Sequence, residues 1–323
     1  MSASTSEVAG GLGGRGDISL RASSPRYGER LIKALLGACA AISVVTTVAI
    51  VLSIFPPTIA FFRDNVGLGE FLTGTTWSPL FANGEFGVLP LVTATLVITV
   101  IALAVAIPIG LLAAIYLSEY APARARKWLK PLLEVLAGIP TVVYGFFALE
   151  FVGPDLLQRF WPGDFLGGEP GTFSALAAGL VMGFMIVPTI ASLSEDALRS
   201  VPMALRQGSS GLGASKLQTT LKVVLPAAIS GIVAAMVLGV SRAIGETMIV
   251  LIAAGGTARL TLNPTEGMQT MTSFIGQAGI GDLSTGSVGY QTIFAVGALL
   301  FLATLVMNLF SIRLVRRFRE VYE

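Results

Sequence analysis

Residues 86–118 read FGVLPLVTATLVITVIALAVAIPIGLLAAIYLS, a run from Phe86 to Ser118 without one charged side chain. A helix needs about 20 apolar residues to cross the hydrocarbon of a bilayer, and this run exceeds that. Three other charge-free runs are as decisive: Ala34 to Phe62, Pro170 to Ser194 and Leu283 to Ile312. Two shorter candidates lie between them. Val135 to Leu149 is held between Glu134 and Glu150. It reaches spanning length with Leu132, Leu133, Phe151 and Val152, which leaves its carboxylates near the interfaces, where they cost little. The run from Val223 is interrupted by Arg242 and Glu246. Both read as spans, giving six over about 34–60, 87–117, 131–152, 173–193, 225–254 and 290–312. The expected fold class is therefore all-α, a polytopic membrane protein with six transmembrane helices.

Composition agrees. Of the 323 residues, 54% are hydrophobic and 12% charged, against about 25% charged in an ordinary soluble domain. The 21 Lys and Arg alternate between segments as the positive-inside rule expects. Residues 1–33, the loop with Arg124, Arg126, Lys127 and Lys130, the stretch from Arg199 to Lys222, and the tail from Arg313 to Arg319 hold all but four of them. Arg63, Arg159 and Arg259 stand in the intervening segments, and Arg242 lies within a span. This places both termini on the cytoplasmic face. A net charge of +2 says little about nucleic acid, since the basic residues are spread along one membrane face; the expected partner is membrane lipid and not nucleic acid.

The absence of histidine and the single cysteine exclude His/Cys metal sites, Ser-His-Asp or Cys-His catalysis and internal disulfides. Cys39 opens an apolar run where a lipoprotein cysteine would follow one, so it reads as an apolar helix residue. Residues 1–30 are rich in Gly and Ser, lack a cleavable signal pattern and are expected to form a disordered cytoplasmic tail ahead of a permease domain at 31–323. Trp77 and Trp161 suit the headgroup level.

Residues 195–222, between spans four and five, are too polar for lipid. Ser200 as cap, Pro202 in the first turn, and Val201, Ala204 and Leu205 at helical spacing predict a short amphipathic helix ending among Gly208, Gly211 and Gly213. Leu225-Pro226 then opens span five. Pro140 and Pro188 are candidate kinks, for gating or for packing.

Arg242 and Glu246 are four apart in Val240-Ser-Arg-Ala-Ile-Gly-Glu-Thr-Met248 and would face one way on a continuous helix, close enough to pair. An intramembrane charge costs about 2.5–3.5 kcal/mol on insertion scales and marks a substrate or ion path by default. A guanidinium there can grip an oxyanion with two prongs. The competing reading is a structural ion pair between helices. Gly211-Leu-Gly-Ala-Ser-Lys216 only superficially resembles a phosphate-cradling loop, because no Gly-Lys dipeptide occurs in the chain. The chain is thus expected to bind no cofactor of its own.

The loop from Leu205 to Pro226 resembles the EAA loop of binding-protein-dependent ABC importer permeases. Gly213, nine residues, Val223, Leu225 and Pro226 keep its frame, while Gln207, Gly208 and Ser209 replace the name-giving triplet. Over about residues 60–320 the chain is similar to the PstC subunits of phosphate importers. The blocks are Phe71 to Pro79, Phe86 to Pro90, Ala106 to Leu111, Ala137 to Gly145 and, most specifically, Arg242-Ala-Ile-Gly-Glu-Thr-Met248. The resemblance implies the type I ABC importer (MetI-like) permease architecture in a bacterial cytoplasmic membrane. It implies a PstA-like second permease, an ATPase dimer using ATP and Mg, an extracytoplasmic phosphate-binding protein, and inorganic phosphate as cargo. It places phosphate passage at Arg242 and Glu246, with Ser241 and Thr247 beside them. It places ATPase coupling at Val201, Ala204, Leu205, Arg206, Gln207, Gly208 and Gly213. Alternatives are a permease for another oxyanion or an organic solute, an ATP-independent secondary transporter, and a sensor that moves nothing. A membrane enzyme is disfavoured, since one Arg and Glu pair is poor acid–base machinery near pH 7.

Overall fold

The computed structural model describes residues 27–81, 84–160, 168 and 170–318. Most of the expected N-terminal tail, Trp161 and Arg319 lie outside them. Among the described residues no strand forms, and Trp77 and Phe86 make an isolated antiparallel bridge. The helices are α1 (Tyr27–Asp64), α2 (Leu68–Thr73), α3 (Leu89–Tyr120), α4 (Ala123–Ala137), α5 (Thr141–Gln158) and α6 (Ala175–Arg199). They continue with α7 (Met203–Gly211), α8 (Lys216–Ala227), α9 (Ile229–Ile244), α10 (Val250–Ala254), α11 (Met271–Ile280) and α12 (Val288–Phe318). Four of them, α1, α3, α6 and α12, are each long and apolar enough to cross a membrane. Two further pairs pass only together, α4 with α5 and α8 with α9, and counting each pair once gives six.

Residues to Leu52 and residues from Ser53 onward are separate units. In the first, the described part of α1 leaves Leu35, Ile42 and Val48 exposed, as a lipid-facing helix does. In the second, α6 is the centre, with 67% of its apolar window buried. Lipid supplies no hydrophobic drive between helices, so close backbone approach through small residues must hold them. Two glycines of α6 provide it. A Cβ on Gly179 would stand 2.7 Å from Ile101, and one on Gly183 2.8 Å from the Ala102 carbonyl oxygen, both on α3. A second core layer is aromatic: Phe61, Phe71, Trp77, Phe86 and Phe274 meet edge to face at centroid distances of 5.0 to 6.2 Å. These contacts fix the segment after α1 against α11.

Three expectations need correction. The segment 131–152 is not one continuous helix, because α4 and α5 meet at 87°. Gly138 closes α4, and Pro140, which lacks an N–H and restricts the residue before it, starts α5. The segment 225–254 is broken twice, by a 70° bend between α8 and α9 and again at Gly245, which caps α9. Pro226 therefore ends the helix before the bend, and Ile229 begins the run toward Arg242. Finally, Ser200 does not cap the loop helix. It closes α6, its N–H donating to Asp196 O. The loop helix α7 starts at Met203 after Pro202, which leaves Val201 buried ahead of it. Pro188 lies inside α6, which runs unbroken from Ala175 to Arg199.

Candidate substrate path and coupling loop

Arg242 sits in the last turn of α9, three residues before the capping Gly245. Because the helix stops there, Glu246 does not lie one turn below Arg242. No ion pair joins them. The Glu246 carboxylate folds onto the next helical segment, where Oε1 accepts from the N–H groups of Thr247, Met248 and Ile249 at 3.1, 3.0 and 3.3 Å. Three backbone donors at a helix start suit a carboxylate better than a half-buried guanidinium does, since the bonds are charge-assisted and aligned with the helix dipole. Thr272 donates to the Glu246 carbonyl oxygen at 2.7 Å, pinning the break against α11.

Arg242 is left with a neutral partner. Its Nη1 donates to Thr189 Oγ1 on α6 at 3.2 Å, and among the described residues no carboxylate pairs with it. The guanidinium is half-buried, with donors uncommitted. Ser241 and Thr247 do not converge on it. Ser241 Oγ donates to Asn308 Oδ1 on α12 at 2.9 Å, and Thr247 Oγ1 donates to Gly245 O at 3.3 Å. Thr95, Thr99, Thr270 and Thr272 surround a small void beside Glu246, and the Thr99 hydroxyl there has no partner.

At the other end of α6, one side chain fastens the loop helix. Arg206 Nη2 donates to Glu119 Oε1 and to Leu198 O, both at 2.8 Å, and Nη1 donates to Val201 O at 2.7 Å. Glu119 lies in the last turn of α3 and Leu198 in the last turn of α6. Arg206 thus holds α7 to the ends of two membrane helices, with its side chain 17% and that of Glu119 10% exposed. Leu205 is half-buried, while Ala204, Gln207 and Gly208 are exposed and form the outward face with Met203 and Leu212. Gly213 has φ +82°, the left-handed turn that only glycine adopts without cost. Ser209 and Thr219 share a hydroxyl hydrogen bond of 2.9 Å that joins α7 to α8.

Lys130 of α4 completes this end, its Nζ 2.6 Å from Glu195 and 2.7 Å from Asp196. Hydrogen bonding to Asp196, then to Glu195, holds its ammonium above the ordinary lysine range. Sequence reasoning missed Thr189, Glu119, Met203 and Leu212. The glycine at 245 inside an apolar run was the available sign of the break, whereas Glu119 is separated from Arg206 by 87 residues and no local pattern links them.

The model of the family described as binding-protein-dependent transport system inner membrane component matches residues 106–320, from inside α3 to beyond α12. The chain belongs to that family. The permease is 36% identical over 93% of its length to the probable ABC transporter permease protein YqgH of Bacillus subtilis, covering 94% of it. It is 34% identical to the phosphate transport system permease protein PstC 1 of Mycobacterium tuberculosis, with 77% and 82% of the two chains covered. To PstC of Pasteurella multocida it is 32% identical, with 78% and 81% covered. Among solved structures, a chain of a bacterial ABC transporter involved in the import of the acidic polysaccharide alginate superposes with a TM-score of 0.58 at 17% identity, over 90% of this chain and 100% of that one. A chain of the MetNI methionine transporter gives 0.51 at 21% identity, over 72% and 95%. At such identities the likeness speaks for the fold alone, and that fold is the MetI-like importer permease.

Proposed function

We propose that this permease imports inorganic phosphate as the PstC-type half of an ATP-driven transporter, together with a PstA-like permease, an ATPase dimer and an extracytoplasmic phosphate-binding protein. It lies in the bacterial cytoplasmic membrane with both termini inside. The observation that carries the reading is Arg242. A guanidinium deep in an apolar helical run is costly unless something compensates it, and here its neighbour is a threonine hydroxyl while the nearest carboxylate in sequence, Glu246, is bonded to three backbone N–H groups. The positive charge is therefore free for a passing anion, and its planar fork matches two oxygens of phosphate. Relatives named as phosphate permeases support phosphate over other oxyanions.

In this reading Glu246 shapes the path by capping the segment after the break and does not neutralise Arg242. The outward face of α7, with Met203, Ala204, Gln207, Gly208 and Leu212, receives the ATPase as a helix laid in a groove. Closure of the ATPases then moves α7, and with it α3 and α6. The path then opens alternately to the two sides. Phosphate uptake into proteoliposomes tests the reading. Arg242→Ala and Arg242→Lys both abolish uptake while the complex stays assembled, Lys failing because it lacks the fork. Normal uptake by Arg242→Ala overturns the path. Uptake of sulfate or molybdate in place of phosphate keeps the path and replaces the substrate.

A further inference from the structure

Helix α4 is amphipathic in an inverted sense. Two of its cations turn toward the protein: Arg126 donates to the carbonyl oxygens of Leu117 and Ser118 at the end of α3, and Lys130 pairs with Glu195 and Asp196 of α6. Its apolar side chains face outward. Trp128 is 79%, Val135 67% and Leu132 54% exposed, and at helical spacing the three share one face. None of the 15 residues of α4 is buried. A helix in water would show the opposite arrangement.

We infer that α4 is a seat for anionic phospholipid, lying in the cytoplasmic interface with Trp128, Leu132 and Val135 at the acyl boundary and Arg124 and Lys127 on headgroup phosphates. The 87° bend fixes the direction: if α5 crosses the bilayer, α4 runs along its surface. Charge selects the lipid. Arg124 and Lys127 are exposed and, unlike Arg126 and Lys130, take part in no hydrogen bond or ion pair among the described residues. They flank the apolar face, the arrangement that binds an anionic surface, and a tryptophan at their level favours the headgroup region. A neutral bilayer would leave both cations without counter-charge. A lipid here also meets Arg126 and Lys130 from outside, so it bears on how α4 is held to α3 and α6. The inference is independent of which solute the permease carries.

The test uses the transporter complex purified with its partner subunits and placed in nanodiscs of phosphatidylcholine with or without phosphatidylglycerol. With each cation worth about fivefold in affinity at such a surface, Arg124→Gln with Lys127→Gln should lower phosphatidylglycerol retention, read by native mass spectrometry, about thirtyfold. The substituted side chains are exposed, so assembly serves as the control for folding. A photo-reactive benzoyl-phenylalanine at position 128 should cross-link to lipid. Cross-linking to a second permease or an ATPase assigns the face to a protein partner and overturns the inference, as does lipid retention unchanged by the double substitution.

Discussion

Arg206→Met removes the guanidinium fork from α7 while keeping most of the apolar stem. The wild-type side chain makes three hydrogen bonds, one of them to the Glu119 carboxylate. Hydrogen bonds to charged groups contribute about 1.5–3 kcal/mol each, and breaking a buried pair costs about 3–5 kcal/mol. This pair keeps some solvent contact, at 17% and 10% exposure, so the lower range applies, about 2–3 kcal/mol for the attachment of α7 to α3 and α6. A coupling free energy of that size corresponds to a factor of about 30–150. In proteoliposomes, Arg206→Met should therefore keep ATP hydrolysis by the partner ATPase and lose most phosphate uptake, raising ATP consumed per phosphate by one to two orders of magnitude. Glu119→Gln retains an acceptor and should fall between. The double variant should be non-additive by more than about 0.5 kcal/mol, because both changes remove the same contact. Tight coupling in Arg206→Met, or additivity of the pair, would refute a strut from α7 to the membrane helices.

Two further outcomes follow from neighbouring contacts. Thr189→Val removes the hydroxyl that positions Arg242 without changing side-chain size, and should lower kcat/KM for phosphate uptake about tenfold, from a loss of roughly 1.5 kcal/mol. Unchanged kinetics would show that Arg242 needs no fixed position. Lys130 has a raised pKa in the folded protein, so its contribution is complete below the ordinary lysine value of about 10.4 and declines only as pH climbs through the higher folded value. The melting-temperature deficit of Lys130→Met in detergent should accordingly stay constant from pH 7 to about 10. A deficit that shrinks within that interval contradicts the tie to Asp196 and Glu195.

The apolar runs were legible because a bilayer imposes a length and a charge rule on every helix that crosses it. Residues 86–118 fall within or beside α3 for that reason. The loop helix was legible in type but displaced at its start, since Ser200 and Pro202 each suit a helix end and only the carbonyl of Asp196 decided which end Ser200 closes. Breaks were harder. Hydropathy counts residues without regard to direction, so α4 and α5 read as one span although Gly138 and Pro140 stood at the bend. What the sequence does not encode locally is pairing across long separations, as between Thr189 and Arg242, 53 residues apart, and between Glu119 and Arg206, 87 apart.

Those two fastenings change the meaning of the charged pair. Spacing of four residues placed Arg242 and Glu246 on one face of a continuous helix, close enough to pair. Gly245 separates them, and each then finds its partner along a different element, Glu246 on the segment it caps and Arg242 on α6. The arginine is consequently held by the helix whose far end is gripped by Arg206 of α7. Thr189 and Leu198 are nine positions apart on one unbroken helix, about 13 Å at 1.5 Å per residue. In the proposed mechanism a displacement of α7 would reach Arg242 through a single rigid element, with α3 held to the same element by the close contacts at Gly179 and Gly183.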